Sequence, residues 1–194
     1  MKSQMDSDGH GSKGHGAGTL AAPRDSKPRS AIRVHPHPSA APTRIHDALV
    51  IPLRRIPDER GTVMHMLRAD DPHFCGFGEI YFSTIYRDVV KGWHRHHDRT
   101  LNYACVFGRI KLVLHDDRAD SPTRGVTQEV FLGPDDYSLV QIPSGVWNGF
   151  KGMSDPHAIV ANCCTAPHDP TGAHSARLDP FDNDIPYDWS VRCQ

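Results

Sequence analysis

From residue 48 onward the chain breaks into short runs rich in β-branched and aromatic residues. Each is closed by turn formers, and the spacing stays close to 8–12 residues. The runs are Ala48–Leu53, Glu79–Tyr86, Asn102–Phe107, Arg109–His115, Gln128–Leu132, Tyr137–Ile142 and His157–Cys164. No long stretch carries a helical period with caps. A strand of this length cannot bury an apolar face alone, so the runs must share sheets, which predicts one all-β sandwich or barrel over residues 45–194. Several runs alternate, as in Arg109-Ile110-Lys111-Leu112-Val113-Leu114, the pattern of a half-buried strand. Gly108 joins the third and fourth runs. Ile142-Pro143-Ser144-Gly145 reads as a turn, because Pro fixes φ and Gly permits φ > 0. The stretch Asp179–Pro186 is too rich in Pro and Asp for a regular element and is expected to wrap over the barrel as an irregular lid.

Residues 1–44 have another texture. They hold 5 Pro, 5 Gly and 6 Ser, with apolar patches too short to offset the entropy of ordering, and they are expected to be disordered. His10, His15, His35 and His37 in this tail read as solvated. The tail carries 7 of the 22 Lys+Arg but 3 of the 23 Asp+Glu, net +4, which leaves the body at −5. An acidic body argues against a nucleic-acid partner, which needs a basic face. No run of about 18 apolar residues predicts a membrane span. The five cysteines are odd in number, two are adjacent, and no CxxC occurs, so neither a disulfide framework nor a zinc ribbon is expected. With no apolar leader segment visible, a reducing cytoplasm is the expected location.

The segment Lys91-Gly92-Trp93-His94-Arg95-His96-His97 concentrates titratable chemistry. On a strand His94 and His96 share a face and could point together into a barrel. They could be rim polar groups, two metal ligands, or a proton acceptor and its neighbour.

An ordered set of motifs resembles the dTDP-4-dehydrorhamnose 3,5-epimerase family. It runs from Asp58-Glu59-Arg60-Gly61 through Gly78-Glu79-Ile80-Tyr81-Phe82-Ser83, Lys91-Gly92-Trp93-His94 and Ser121-Pro122-Thr123-Arg124-Gly125. It continues with Ile142-Pro143-Ser144-Gly145-Val146-Trp147-Asn148-Gly149-Phe150 and Leu178-Asp179-Pro180, with Ile185 and Trp189 beyond. The resemblance spans roughly residues 48–190 and implies a cupin fold, a double-stranded β-helix or jelly roll, without a metal or other cofactor. It implies an isomerase acting on a nucleotide-diphosphate-linked 4-keto-6-deoxy sugar. The family's catalytic base falls on His94 and its partner carboxylate on Asp179. Its nucleotide-binding arginine falls on Arg60, and the arginine of its histidine motif on Lys91, which exchanges a bidentate fork for a point charge. Members pair through strand exchange at the barrel edge, so a homodimer is expected.

The departures are as informative. The family's catalytic tyrosine falls on Asn162 in Asn162-Cys163-Cys164-Thr165, and its lysine falls near Leu101, where no lysine stands. Metal-binding cupins place a third histidine where this chain has Asn148, and an amide is a poor ligand for a transition metal.

Epimerisation beside a ketone needs a base, a donor that steadies the enolate oxygen, and an acid on the opposite face. His94 with Asp179 can supply the first. Asn162 or Asn148 could supply the second, but no amide can supply the third. Tyr103, one strand along, and Tyr81 are the candidates for a substitute acid, and a bound water is another. The Gly-Trp-His-Arg-His stretch also resembles sugar 3,4-ketoisomerases, where His96 would be the second histidine; a binding module that has lost turnover is a further alternative. Trp93 and Trp147 read as packing residues rather than sugar platforms.

Overall fold

The computed structural model describes residues 45–190. The predicted disordered tail, 1–44, lies outside them. The described residues form twelve strands and no helix. The first six are β1 (Leu49–Pro52), β2 (Arg55–Asp58), β3 (Gly61–Met64), β4 (Glu79–Tyr86), β5 (Val90–His96) and β6 (Leu101–Phe107). The rest are β7 (Ile110–His115), β8 (Thr127–Leu132), β9 (Ser138–Ile142), β10 (Trp147–Gly152), β11 (His157–Cys164) and β12 (Ser175–Arg177).

Two five-stranded antiparallel sheets, β1-β9-β6-β11-β4 and β12-β5-β10-β7-β8, enclose a common interior, and β2 and β3 form a separate hairpin. This is the jelly-roll barrel of the cupins. All seven sequence-predicted runs are strands, two of them with the same bounds, β4 and β11. Strands β2, β3, β5, β10 and β12 were not among those runs, although the histidine motif of β5 was read on a strand. β2 and β3 are exposed except at Met64, and β12 is three residues long, so none carries an alternating pattern. β10 is interrupted by glycines whose role is packing. A Cβ on Gly149 would sit 2.9 Å from the Gly92 Cα and 3.1 Å from the Trp189 ring, so the close approach of β10 to β5 excludes any side chain there. Gly108, predicted as a joint, takes φ +69° between β6 and β7, and a Cβ there would meet the His157 carbonyl at 2.7 Å.

Strand β7 explains how the interior is divided. Ile110, Leu112 and Leu114 point inward and join Leu101, Leu132, Val140, Ile142 and Val146 in the main core. Val113 points the other way, into a second cluster with Trp93, Trp147 and Trp189 on the outer face of the same sheet. The main core fills one part of the barrel and leaves the region between β4, β5, β6, β11 and β12 open.

The C-terminal segment corrects the expectation of a lid. Ile185, Tyr187 and Trp189 pack against the second cluster, with the Trp93 and Trp189 rings 5.1 Å apart. The segment is therefore a strap across the back of the β5-containing sheet. Trp93 and Trp147 are packing residues, as their size suggested. Each buried indole is worth about 4–6 kcal/mol of gross transfer energy, which anchors a stretch with no regular hydrogen-bonding pattern.

One buried carboxylate fixes the loop after β7. Asp116 is fully inaccessible and accepts hydrogen bonds from Arg118 Nε and Nη2 (both 2.8 Å), Ser121 Oγ (2.5 Å) and Thr123 Oγ1 (2.7 Å). Burial acts to raise its pKa, but these donors outweigh it and hold the carboxyl far below the ordinary range.

Candidate active site

The open part of the barrel is a cavity of about 380 Å³. Alternation on β4 turns Glu79, Tyr81 and Ser83 inward. β11 contributes Asn162 and Cys164, and β6 contributes Tyr103. The facing sheet supplies Lys91, His94 and His96 from β5 and Ser175 and Arg177 from β12. Arg99 and His168 complete the rim, so the charged lining is three basic side chains, Lys91, Arg99 and Arg177, against Glu79.

His94 and His96 do share a face, and both line this cavity. In the sheet His94 lies between Asn148 of β10 and Arg177 of β12. Burial lowers the His94 pKa, and the charges of Arg177 and Lys91 lower it further, all in favour of the neutral ring. Burial likewise brings His96 down to about 4, aided by Arg99. The His96 Nδ1 is buried and has no partner among the described residues.

Asp179 is not brought to this ring. It is exposed, does not line the cavity, and its Oδ1 accepts the amides of Phe181 (2.8 Å) and Asp182 (3.0 Å). The expected His94–Asp179 pair is therefore not formed. An Asp that opens a turn spends its carboxylate on its own backbone, and the charges acting on His94 are positive ones. Arg60 is also outside the cavity. It lies at the β2–β3 turn with its guanidinium on Asp58 (2.6 and 3.2 Å), and its side chain is 85% exposed.

Lys91 lines the cavity and ties its two walls together. Its Nζ donates to Ser83 Oγ (2.9 Å) and to the Thr84 carbonyl (2.6 Å) on β4. Asn148 is committed inside the protein: its Nδ2 donates to the His94 carbonyl (3.0 Å) and its Oδ1 accepts from the Tyr103 hydroxyl (3.3 Å). The residue at the third-histidine position of metal cupins thus braces the β5 backbone.

Asn162 lies between two phenols. Its cross-strand neighbours are Tyr81 on β4 and Tyr103 on β6. Asn162 Nδ2 donates to the Tyr81 hydroxyl (2.8 Å), while its Oδ1 accepts the Asn102 amide (3.2 Å). Burial raises the pKa of Tyr103 well above that of a free phenol. Burial also raises Tyr81, but the Asn162 bond opposes it. Tyr103 is 6% exposed and Tyr81 41% exposed.

Sequence reasoning missed Arg177, Arg99, Glu79, Ser83 and His168. Glu79 and Ser83 were legible in principle, since both lie two residues from Tyr81 on one strand. Arg177 was not, because a three-residue strand leaves no periodic signal.

A family model described as dTDP-4-dehydrorhamnose 3,5-epimerase matches residues 42–194. A dTDP sugar isomerase from Desulfovibrio desulfuricans G20, known as a crystal structure, shares 44% identity and a TM-score of 0.72. The match covers 75% of this chain and 92% of that one. The probable low-salt glycan biosynthesis epimerase Agl13 of Haloferax volcanii is 35% identical over 146 residues, 74% of this chain and 89% of the relative. The spore coat polysaccharide biosynthesis protein SpsL of Bacillus subtilis is 28% identical over 134 residues, 69% of this chain and 89% of the relative.

Proposed function

The chain belongs to the dTDP-4-dehydrorhamnose 3,5-epimerase family, and from that premise we propose that it epimerises a nucleotide-diphosphate-linked 4-keto-6-deoxy sugar, with His94 as the base. The observation that carries the assignment is an imidazole inside the cavity between basic side chains, where burial favours its neutral form. Such a ring accepts the proton next to a ketone, and the enolate it leaves gains from the positive charges of Lys91 and Arg177. Because Asp179 does not support the ring, His94 works without a carboxylate behind it. The same basic lining suits a diphosphate. The likeness to a glycan biosynthesis epimerase and a spore coat polysaccharide biosynthesis protein supports a role in polysaccharide biosynthesis. We place the enzyme in the cytoplasm, which fits four described cysteines that form no disulfide.

We also propose that it acts as a homodimer. The β2–β3 hairpin leaves Ile56 and Val63 exposed and holds Arg60 away from its own cavity. A second copy would cover that apolar surface and receive Arg60 at its substrate's phosphates.

Proton–deuterium exchange tests the reading. The protein is incubated in D₂O with a dTDP-4-keto-6-deoxy sugar and followed by NMR. Deuterium at C3 or C5 together with an inverted product supports the epimerase. Binding without exchange, unchanged in His94→Ala, leaves a binding module. A ketone that moves to C3 supports the ketoisomerase reading, which one observation favours: His96, in the same cavity, has an unpartnered Nδ1.

A further inference from the structure

We propose that Tyr81, rather than Tyr103, is the acid of the reaction: its hydroxyl delivers a proton to the face of the substrate opposite His94, while Asn162 and Tyr103 hold that hydroxyl in place. This rests on the epimerase reading and adds a residue and a direction to it.

The placement follows from the two sheets. Tyr81 belongs to β4 in one sheet and His94 to β5 in the other, and both side chains line the same cavity. A flat enolate between these walls has an imidazole on one face and a phenol on the other. Tyr103 shares the Tyr81 wall but lies deeper, 6% exposed, and its O–H is given to Asn148 Oδ1 (3.3 Å). Tyr81 is open to the cavity, and its oxygen receives a hydrogen bond from Asn162 Nδ2 (2.8 Å) and contacts the Tyr103 hydroxyl. An oxygen that accepts from Asn162 is free to direct its own hydrogen at a ligand, and that donor then stabilises the phenolate it leaves.

The register explains why Asn162 is there. It is the direct cross-strand neighbour of Tyr81 on one side and of Tyr103 on the other. The phenol absent from β11 is supplied from the adjoining strand, and the amide is left as its positioning group.

The proton balance is simple. The substrate C–H bond breaks, its electron pair enters the enolate, and His94 takes the proton. The Tyr81 O–H bond then breaks, its pair stays on oxygen, and the proton bonds to the same carbon from the other side. Water in the open cavity takes a proton from the imidazolium and another returns one to the phenolate, so the enzyme regains its starting state with no net change.

The test compares Tyr81→Phe, Tyr103→Phe and Asn162→Ala in full-length protein with a dTDP-4-keto-6-deoxy sugar in D₂O. Exchange and inversion are read separately by NMR, and folding is checked by thermal melting. Tyr81→Phe is expected to retain His94-dependent deuterium exchange with the starting configuration while inversion falls about 10²–10⁴-fold. Asn162→Ala is expected to lower kcat by about tenfold and to move the alkaline limb of the pH profile upward, because the phenolate loses a donor, while Tyr103→Phe, whose hydroxyl is given to Asn148, is expected to lower kcat less than tenfold and to leave that limb in place. Inversion by folded Tyr81→Phe within threefold of wild type would overturn the assignment and leave the epimerase reading standing. Wild-type protein that neither exchanges nor inverts would overturn both.

Discussion

At the scale of single residues, the cavity sets the protonation states its chemistry needs. His94 must be deprotonated to act as a base, and burial together with Arg177 and Lys91 lowers its pKa. The active form therefore persists further into acid than it would for a free imidazole. The acid limb of kcat/KM is expected below the ordinary histidine value of about 6.5. Arg177→Gln, which removes one of those charges, is expected to move that limb toward neutral pH, measured as an initial-rate pH profile; a limb unmoved by Arg177→Gln would separate the titration from His94. The histidine pair and the phenols were legible because strand alternation and chemical type select them. Asp179 was not legible as a turn residue, because a carboxylate ahead of Pro180 and Phe181 looks the same in sequence whether it faces an imidazole or its own backbone amides.

At the scale of elements, stability depends on two devices behind the site. Around Asp116, four hydrogen bonds from three side chains stabilise one buried charge. Asp116→Ala leaves the Arg118 guanidinium without its carboxylate and is expected to cost about 3–5 kcal/mol, read from urea denaturation. A loss under 1 kcal/mol would mean the loop holds by other contacts. The C-terminal strap offers the second case. Trp189→Ala removes a side chain packed on Trp93 and Tyr187 and is expected to cost about 3–5 kcal/mol in the same assay. KM should change far less, since the strap lies behind the sheet and not at the mouth. The sequence announced the strap by its Pro and Asp content but not the face it covers. That depends on Gly92 and Gly149, whose missing side chains let the indole lie down on the sheet.

At the scale of the whole molecule, the exposed hairpin and the outer face of β4 are the surfaces the proposed second copy would cover. Phe82 and Tyr86 are 64% and 67% exposed on an edge strand of a five-stranded sheet, an arrangement that single chains usually avoid. Light scattering after gel filtration is expected to give twice the 21.6 kDa chain mass. Refolded mixtures of inactive Arg60→Ala and His94→Ala proteins should regain part of the wild-type rate, because one hybrid site then has both residues intact. A monomer, or mixtures that stay inactive, would return Arg60 to its own hairpin. The two sheets themselves were readable from the spacing of turns, whereas surfaces between copies leave no periodic mark. The interior described above adds a constraint of its own. With one end of the barrel filled by Leu112, Leu114, Leu132 and Val140, the chamber is a cul-de-sac: a sugar acted on as proposed would have to back out by the door it used, so reactant and product would contend for a single threshold.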